Sequence, residues 1–266
     1  MRNGFIASFI VSVGVLATVL VVLAQPAVPM QKAQAQKPTI PDLSGDWNAG
    51  GGCGWNPDDP KCTKIEDGTP YQPWALAKVK SERTGYGATA TFEDTTDPHM
   101  KYCDPMVAPR VYFNPSKFKF LQNNPDVVYI MYEYGPYFLP VSMNRKHPDD
   151  PDPSWWGDSI GWYEGDTFVI DTVGFNDKTW LDQMGRPHTD KLHVVQRFHR
   201  LDPEHLELDV TFDDPGAYTR SWSGKKIFTR SHTGFGRYMW VCTYLENHKF
   251  DDAVEKPTLP AAPPNR

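Results

Sequence analysis

Two histidines and an acid stand close together at His188, Asp190 and His193. On extended chain, His188 and Asp190 project to the same side, and His193 opens the next run of apolar residues. Two imidazoles and a carboxylate are a donor set for zinc, copper or ferrous iron. They are also the set for a loop in which Asp190 orients one histidine and no metal binds. The spacing matches none of the recognised metal motifs. His99 and His147 are further imidazoles, and nothing in one dimension places them near this group.

A second set is acidic: Asp158, Glu164, Asp166, Asp171 and Asp177. Paired carboxylates serve as general acid and base, as in glycoside hydrolysis. Glu164-Gly165-Asp166-Thr167 reads better as hairpin-turn chemistry, with Asp166 bonding its own backbone and Gly165 taking positive φ. Asp171 differs. It follows Val169 and Ile170 inside an apolar strand, where a carboxylate is costly unless solvated or paired. Arg197 is its expected partner, either in a structural ion pair or in a functional dyad. Asp213-Asp214-Pro215 reads as an Asx turn with Tyr218 packing back. The sharper alternative puts Tyr218 and Asp213 at a barrel mouth, donating to a ligand oxygen. Ser159 in Gly-Asp-Ser leads straight into a strand, without the strand–turn–helix context of a nucleophile elbow. There is no phosphate-binding glycine loop, dinucleotide fingerprint or H-E-x-x-H.

These residues need elements to hold them. Leu43–Trp47 reads as a first strand, and 48–69 as loop rich in Gly, Pro and Asp. Pro73–Lys80 is the one convincing helix, with Pro73 in its first turn and Thr69 or Gln72 as cap. Short β segments follow at Lys117–Gln122, Val127–Tyr134 and Tyr137–Ser142. Next come a hairpin of Ser159–Glu164 with Thr167–Thr172 and another of Leu192–Arg200 with His205–Phe212. Ile227–Arg230 and Tyr238–Tyr244 end the series. Strands every ten or so residues predict an antiparallel barrel, with a sandwich as alternative, one short N-terminal helix and long loops. Leu206, Leu208, Val210 and Phe212 alternate with Glu207, Asp209, Thr211 and Asp213. This gives one greasy face and one face of acid, Arg and His. The polar face either meets solvent or lines a lumen.

The aromatics, 9 Trp, 12 Tyr and 14 Phe, are mostly core fillers. Tyr137, Trp155, Trp156 and Trp180 are the expected substrate-contacting rings.

Arg2 followed by the uncharged run Phe5–Ala24 reads as an export leader, with Ala33-Gln34-Ala35 as the cleavage site. Cleavage at Ala24, or retention as a span, are alternatives. The expected layout is a leader over 1–35, a tether over 36–42, a barrel over 43–250 and a disordered Pro-rich tail over 251–266. Losing Arg2 and Lys32 takes the net charge from −6 to −8. Such an acidic chain argues against nucleic acid and anionic membrane as partners. It points to a secreted or periplasmic protein that meets a small molecule. In an oxidising compartment, Cys53, Cys62, Cys103 and Cys242 suggest disulfides. Cys53–Cys62 and Cys103–Cys242 are the preferred pairings among three.

The strings WGDSIGWYEGDTFVIDTVGFNDKTWLD, GRPHTDKLHVVQRFHRLD and LDVTFDDPGAYTRSW resemble a widespread family of exported bacterial proteins, frequent in soil bacteria. The resemblance covers about residues 40–248 and implies a calycin-like (lipocalin-type) barrel. It brings no settled reaction. The chain departs from the pattern at Gln196, often Glu in members, and at Tyr163, often Trp.

The reading that follows is an exported barrel binding a partly aromatic or apolar molecule in its lumen or mouth. We expect acid–base chemistry of lyase, isomerase or cyclase type without a cofactor. Asp171, His188, His193, Arg197 and Tyr218 are its expected residues. A histidine would move the proton, and Arg197 with Tyr218 would stabilise developing oxyanion charge. Two alternatives stand. One is a non-catalytic periplasmic carrier. The other is a carbohydrate-active hydrolase or a metal-dependent enzyme using a divalent ion at His188, Asp190 and His193.

Overall fold

The computed structural model describes residues 40–52, 54–55, 68–84, 95–135 and 137–236, all within the compact unit Pro38–Arg266. The expected leader, the cleavage site, Cys53, Cys62, Cys242, the strand at 238–244 and the Pro-rich tail lie outside the described residues. Each expected disulfide therefore has at least one member there.

Among the described residues, nine strands run in chain order. They are β1 (Asp46–Asn48), β2 (Lys117–Leu121), β3 (Val127–Tyr132), β4 (Phe138–Met143), β5 (Asp158–Glu164), β6 (Thr167–Val173), β7 (His193–Arg200), β8 (His205–Asp213) and β9 (Trp222–Ser231). They close into one barrel in that order, with β9 pairing back on β1. The sandwich alternative is thereby set aside. The expectation of a wholly antiparallel barrel is corrected. Each antiparallel junction reverses direction, so a closed ring needs an even number of them. Nine strands cannot satisfy that, and the β4–β5 junction is parallel. It holds only two residue pairs, Ser142 with Ile160 and Met143 with Gly161.

Period-2 patterning decides which side each residue faces. Leu206, Leu208, Val210 and Phe212 all point inward and are fully buried. Val194, Gln196 and Phe198 face them across the β7–β8 ladder. Burying each large apolar side chain contributes about 1.5–3 kcal/mol. The interior is a packed core. A 3-10 turn, Arg110–Phe113, carries Tyr112 into it. The Tyr112 ring lies 5.2 Å from Phe118, 5.5 Å from Phe228 and 5.9 Å from Phe198. Its hydroxyl sits 3.1 Å from that of Tyr132. Burial pushes both phenols well above their ordinary value.

Helix α1 (Pro73–Ser81) forms where expected, with Pro73 in its first turn. Gln72 is the N-cap but gives no side-chain cap, so the expected capping is corrected. The helix is pinned instead from its exposed side. Trp74 Nε1 donates to Gly216 O at 2.8 Å, and Gln72 Nε2 donates to Pro215 O at 3.3 Å. A second helix, α2 (Pro98–Tyr102), was not expected. Asp97 caps it by accepting from His99 N at 2.9 Å. One sequence turn explains the position: Asp-Pro places a cap and a first-turn proline together.

Candidate functional site

The start of β5, the end of β6 and the start of β7 meet at one end of the barrel. The ladder puts Asp158, Ile160 and Trp162 of β5 on the outer wall, beside Val169 and Asp171 of β6 and His193, Val195 and Arg197 of β7. The polar face of the hairpin therefore meets solvent and does not line a lumen. The physical reason is that the apolar face is needed to fill the closed barrel.

A chain of charged groups runs across this wall. Asp171 Oδ1 accepts from His193 Nε2 at 2.7 Å and lies 3.2 Å from His147 Nε2. The other nitrogen of His147, Nδ1, lies 2.6 Å from Asp158 Oδ1. Arg145 Nη2 donates to Asp158 Oδ2 at 2.5 Å. His147 and Arg145 come from the connection between β4 and β5. Gly157 lets that connection close down at φ +67. A Cβ there would meet Val173 O at 2.5 Å.

Ionised carboxylates only accept, so His147 stands between the two acids as a donor, and Arg145 places a cation beside Asp158. The hydrogen bond of His193 to Asp171 raises its pKa above the ordinary 6.5, against the opposing effect of burial. For Asp171, burial acts upward, but the hydrogen bonds and charges of His193 and His147 outweigh it, and the carboxyl sits below its ordinary value. Asp158 follows the same logic, with Arg145 and His147 overcoming burial. The His193 side chain is 38% exposed, while Asp171 is 20% and His147 19% exposed. Among the described residues, His193 Nδ1 makes no hydrogen bond. Ile160, Trp162 and Val195 form an apolar strip beside it on the same wall.

Of the five residues expected to be catalytic, the structure brings together two, Asp171 and His193. His188 is buried. Its Nδ1 lies 3.1 Å from Thr189 O and its Nε2 lies 2.8 Å from Thr179 Oγ1. A carbonyl only accepts, so Nδ1 carries the proton and Nε2 accepts from the threonine. Burial depresses its pKa. Tyr218 is also buried and donates to Pro187 O at 2.8 Å, clamping a loop. Arg197 pairs with Glu164 Oε2 at 2.5 Å, not with Asp171. His193 and Arg197 are four residues apart on one strand, about 13 Å at ~3.3 Å per residue. That distance is too long for one reacting oxygen. Asp190 sits in an exposed turn away from buried His188, so the metal trio is not assembled. Among the described residues no group of three His, Cys, Asp or Glu is placed to hold a metal ion.

Of the four expected substrate-contacting rings, Tyr137 and Trp156 come together, and Trp155 and Trp180 lie apart from them in other contacts. Trp180 is buried under the Arg110 guanidinium, 5.0 Å from the ring centroid. Trp156 stacks on Tyr132 at 5.8 Å and meets Tyr137 at 5.7 Å, closing over the interior. Trp155 lies under Lys178 at 5.7 Å. Ser159 points inward onto Thr172 Oγ1 at 2.9 Å. Gln196 is inside the barrel at 2% exposure. Asp214 forms the expected Asx turn, accepting from Thr189 N and Oγ1, both at 2.6 Å, and from Gly216 N at 3.0 Å.

Sequence reasoning missed His147, Asp158 and Arg145 as partners. The one available signal was Asp158 two residues before an outward Ile160 on the same strand. Nothing local placed a loop histidine between two strand acids. No protein-family model, curated protein or solved structure matches this chain.

Proposed function

We propose that this protein is an exported barrel whose outer wall performs general acid–base chemistry on a small, partly apolar or aromatic molecule. The observation that carries the reading is the Asp171–His193 hydrogen bond at 2.7 Å on a partly exposed histidine. Asp171 holds the Nε2 proton in place, so Nδ1 of neutral His193 carries the lone pair. That nitrogen takes a proton from the substrate. The imidazolium so formed is stabilised by Asp171 and returns the proton at a neighbouring atom. The strip of Ile160, Trp162 and Val195 supports the apolar body of the substrate. The packed interior supports this placement over a lumen-bound ligand. In the same reading, the leader directs export, and Cys103 pairs with Cys242.

The test is deuterium exchange. The protein is incubated in D2O with small aromatic and apolar ketones and aldehydes bearing acidic α-protons, and loss of the α-proton signal is followed by NMR. The expected result is exchange with at least one compound that falls about 10²–10⁴-fold in His193→Gln. Exchange unchanged in His193→Gln, or no exchange with any compound, overturns the reading.

A further inference from the structure

His99 and Tyr134 form a pair that the outer wall does not use. His99 lies in α2 and is 5% exposed. Its Nδ1 lies 2.6 Å from Asp104 O, and its Nε2 lies 2.8 Å from the Tyr134 hydroxyl. A carbonyl oxygen only accepts, so Nδ1 carries a proton. Burial, the largest influence on this ring, pushes it below the ordinary 6.5, so it is neutral at neutral pH. Nε2 therefore offers a lone pair, and the Tyr134 phenol donates to it. The two rings meet edge-on, with centroids 5.7 Å apart. Asp97 fixes the histidine from below by accepting from His99 N at 2.9 Å.

Other phenols have partners of a different kind. The hydroxyls of Tyr112 and Tyr132 meet each other at 3.1 Å. Tyr218 donates to Pro187 O at 2.8 Å. The Tyr163 hydroxyl accepts from Gln122 Nε2 at 3.0 Å. A hydroxyl, a carbonyl or an amide N–H does not keep a phenol's proton at neutral pH, whereas an imidazole nitrogen does. The difference matters when an electron is withdrawn. A phenol that has lost an electron is a very strong acid, so oxidation is easiest where a base already sits on the proton. The 2.8 Å contact is within the range for direct proton transfer.

We propose that Tyr134 is a redox-active tyrosine that gives one electron to an external one-electron oxidant, such as an organic peroxyl radical, while His99 takes the phenol proton. The O–H bond of Tyr134 breaks and its proton moves to His99 Nε2. The electron goes to the peroxyl radical, which becomes a peroxide anion and takes a proton from water. Tyr134 is left as a neutral tyrosyl radical beside an imidazolium. Both nitrogens of that imidazolium then donate, Nδ1 to Asp104 O and Nε2 to the radical's oxygen. An electron crosses a few ångströms without contact, so half-buried Tyr134 needs no substrate pocket. The pair shares no residue with the His193 wall and does not depend on it.

The experiment is photochemical oxidation of the full chain with tris(bipyridine)ruthenium and persulfate in D2O, frozen within milliseconds and read by EPR and ENDOR. The histidines carry ring 15N. The expected signal is a neutral tyrosyl radical coupled to one exchangeable deuteron and to a histidine 15N, which needs no variant. Tyr134→Phe keeps the ring and should lower the signal more than twofold. A hydrogen bond of structural role alone would leave the radical spread over other rings. A radical without histidine coupling, or a signal at half size or more in Tyr134→Phe, overturns the proposal.

Discussion

Asp171 and His193 are diagonal neighbours, not ladder partners. Asp171 pairs with Val195 and His193 pairs with Asp213, yet Asp171 Oδ1 reaches His193 Nε2 at 2.7 Å. A diagonal contact on one face is within reach of long side chains. It sets the ring by its Nε2 edge and leaves Nδ1 outward. The Asp171 hydrogen bond is the largest influence raising His193. Asp171→Asn removes the charge that favours the imidazolium while burial still opposes it. His193 should then titrate below its wild-type midpoint, measured by NMR of the ring nitrogens. An unchanged midpoint would show that the contact is absent in solution.

Stability should depend on pH with opposing signs. Burial depresses both His99 and His188 below 6.5. The unfolded chain protonates first, so these two groups lower stability as pH falls from 6.5 towards their folded values. His193 acts oppositely. Its contribution is fully present below 6.5 and is lost as pH rises through its raised folded value. His99 and His188 therefore act towards a fall on mild acidification, and His193 acts against it. Asp158 and Asp171 add a second limb. Their contribution is present above 3.8 and is lost as pH falls through their depressed folded values. The check is the urea midpoint at pH 7 and pH 5.5. His188→Asn should show a smaller drop between the two, whatever its absolute stability. An equal drop would refute the assignment of buried, neutral His188.

The plug residue Tyr112 separates two effects. Tyr112→Phe leaves the buried Tyr132 hydroxyl without its 3.1 Å partner and should cost about 1–3 kcal/mol. Tyr112→Ala also opens a cavity among Phe118, Phe198 and Phe228, raising the loss to about 3–5 kcal/mol. Denaturant midpoints distinguish them. Equal losses would mean that the ring is not packed.

Asp97 and Arg110 form an ion pair with both side chains buried. Asp97→Asn keeps an oxygen to cap α2 but leaves the Arg110 charge without its counter-charge. The expected loss is about 3–5 kcal/mol. Arg110→Met in the same chain should recover part of it, since replacing both charges removes the burial penalty. A double variant no more stable than Asp97→Asn alone would contradict this.

Gly224 tests the approach of Trp55 to β9. A Cβ there meets Trp55 Cβ at 2.5 Å and Trp55 O at 2.9 Å. Backbone cannot rotate aside as a side-chain tip can, so Gly224→Ala should cost about 1–3 kcal/mol. Gly51→Ala is the contrast for space, with nothing within 4 Å, though its φ of +66 adds strain of its own. Thermal melts that rank Gly224→Ala as harmless would place Trp55 elsewhere.

Much of the fold was legible in one dimension. The alternation from Leu206 to Phe212 predicted strand β8 and its buried face, and Pro73 predicted the start of α1, because both signals are local. The wall of the site was half legible. Asp171 stood out as an acid within an apolar strand, and His193 as a histidine opening the next one. The parallel β4–β5 junction was not legible, since the parity of a closed ring belongs to no single strand.

The alternation by itself determined that His193, Arg197 and His199 share a face opposite Val194 and Phe198, since side chains alternate along a strand; strand register then put Asp171 on the same face. Only the tertiary structure decided that this face is outside. Closure turns the apolar face into an interior that Tyr112, Phe118, Phe198 and Phe228 then fill. Tertiary structure also paired Arg197 with Glu164 and gave Asp171 to His193 and His147. A charged side chain reaches whichever opposite charge lies within a few ångströms in space, and strand register and loop path set that distance.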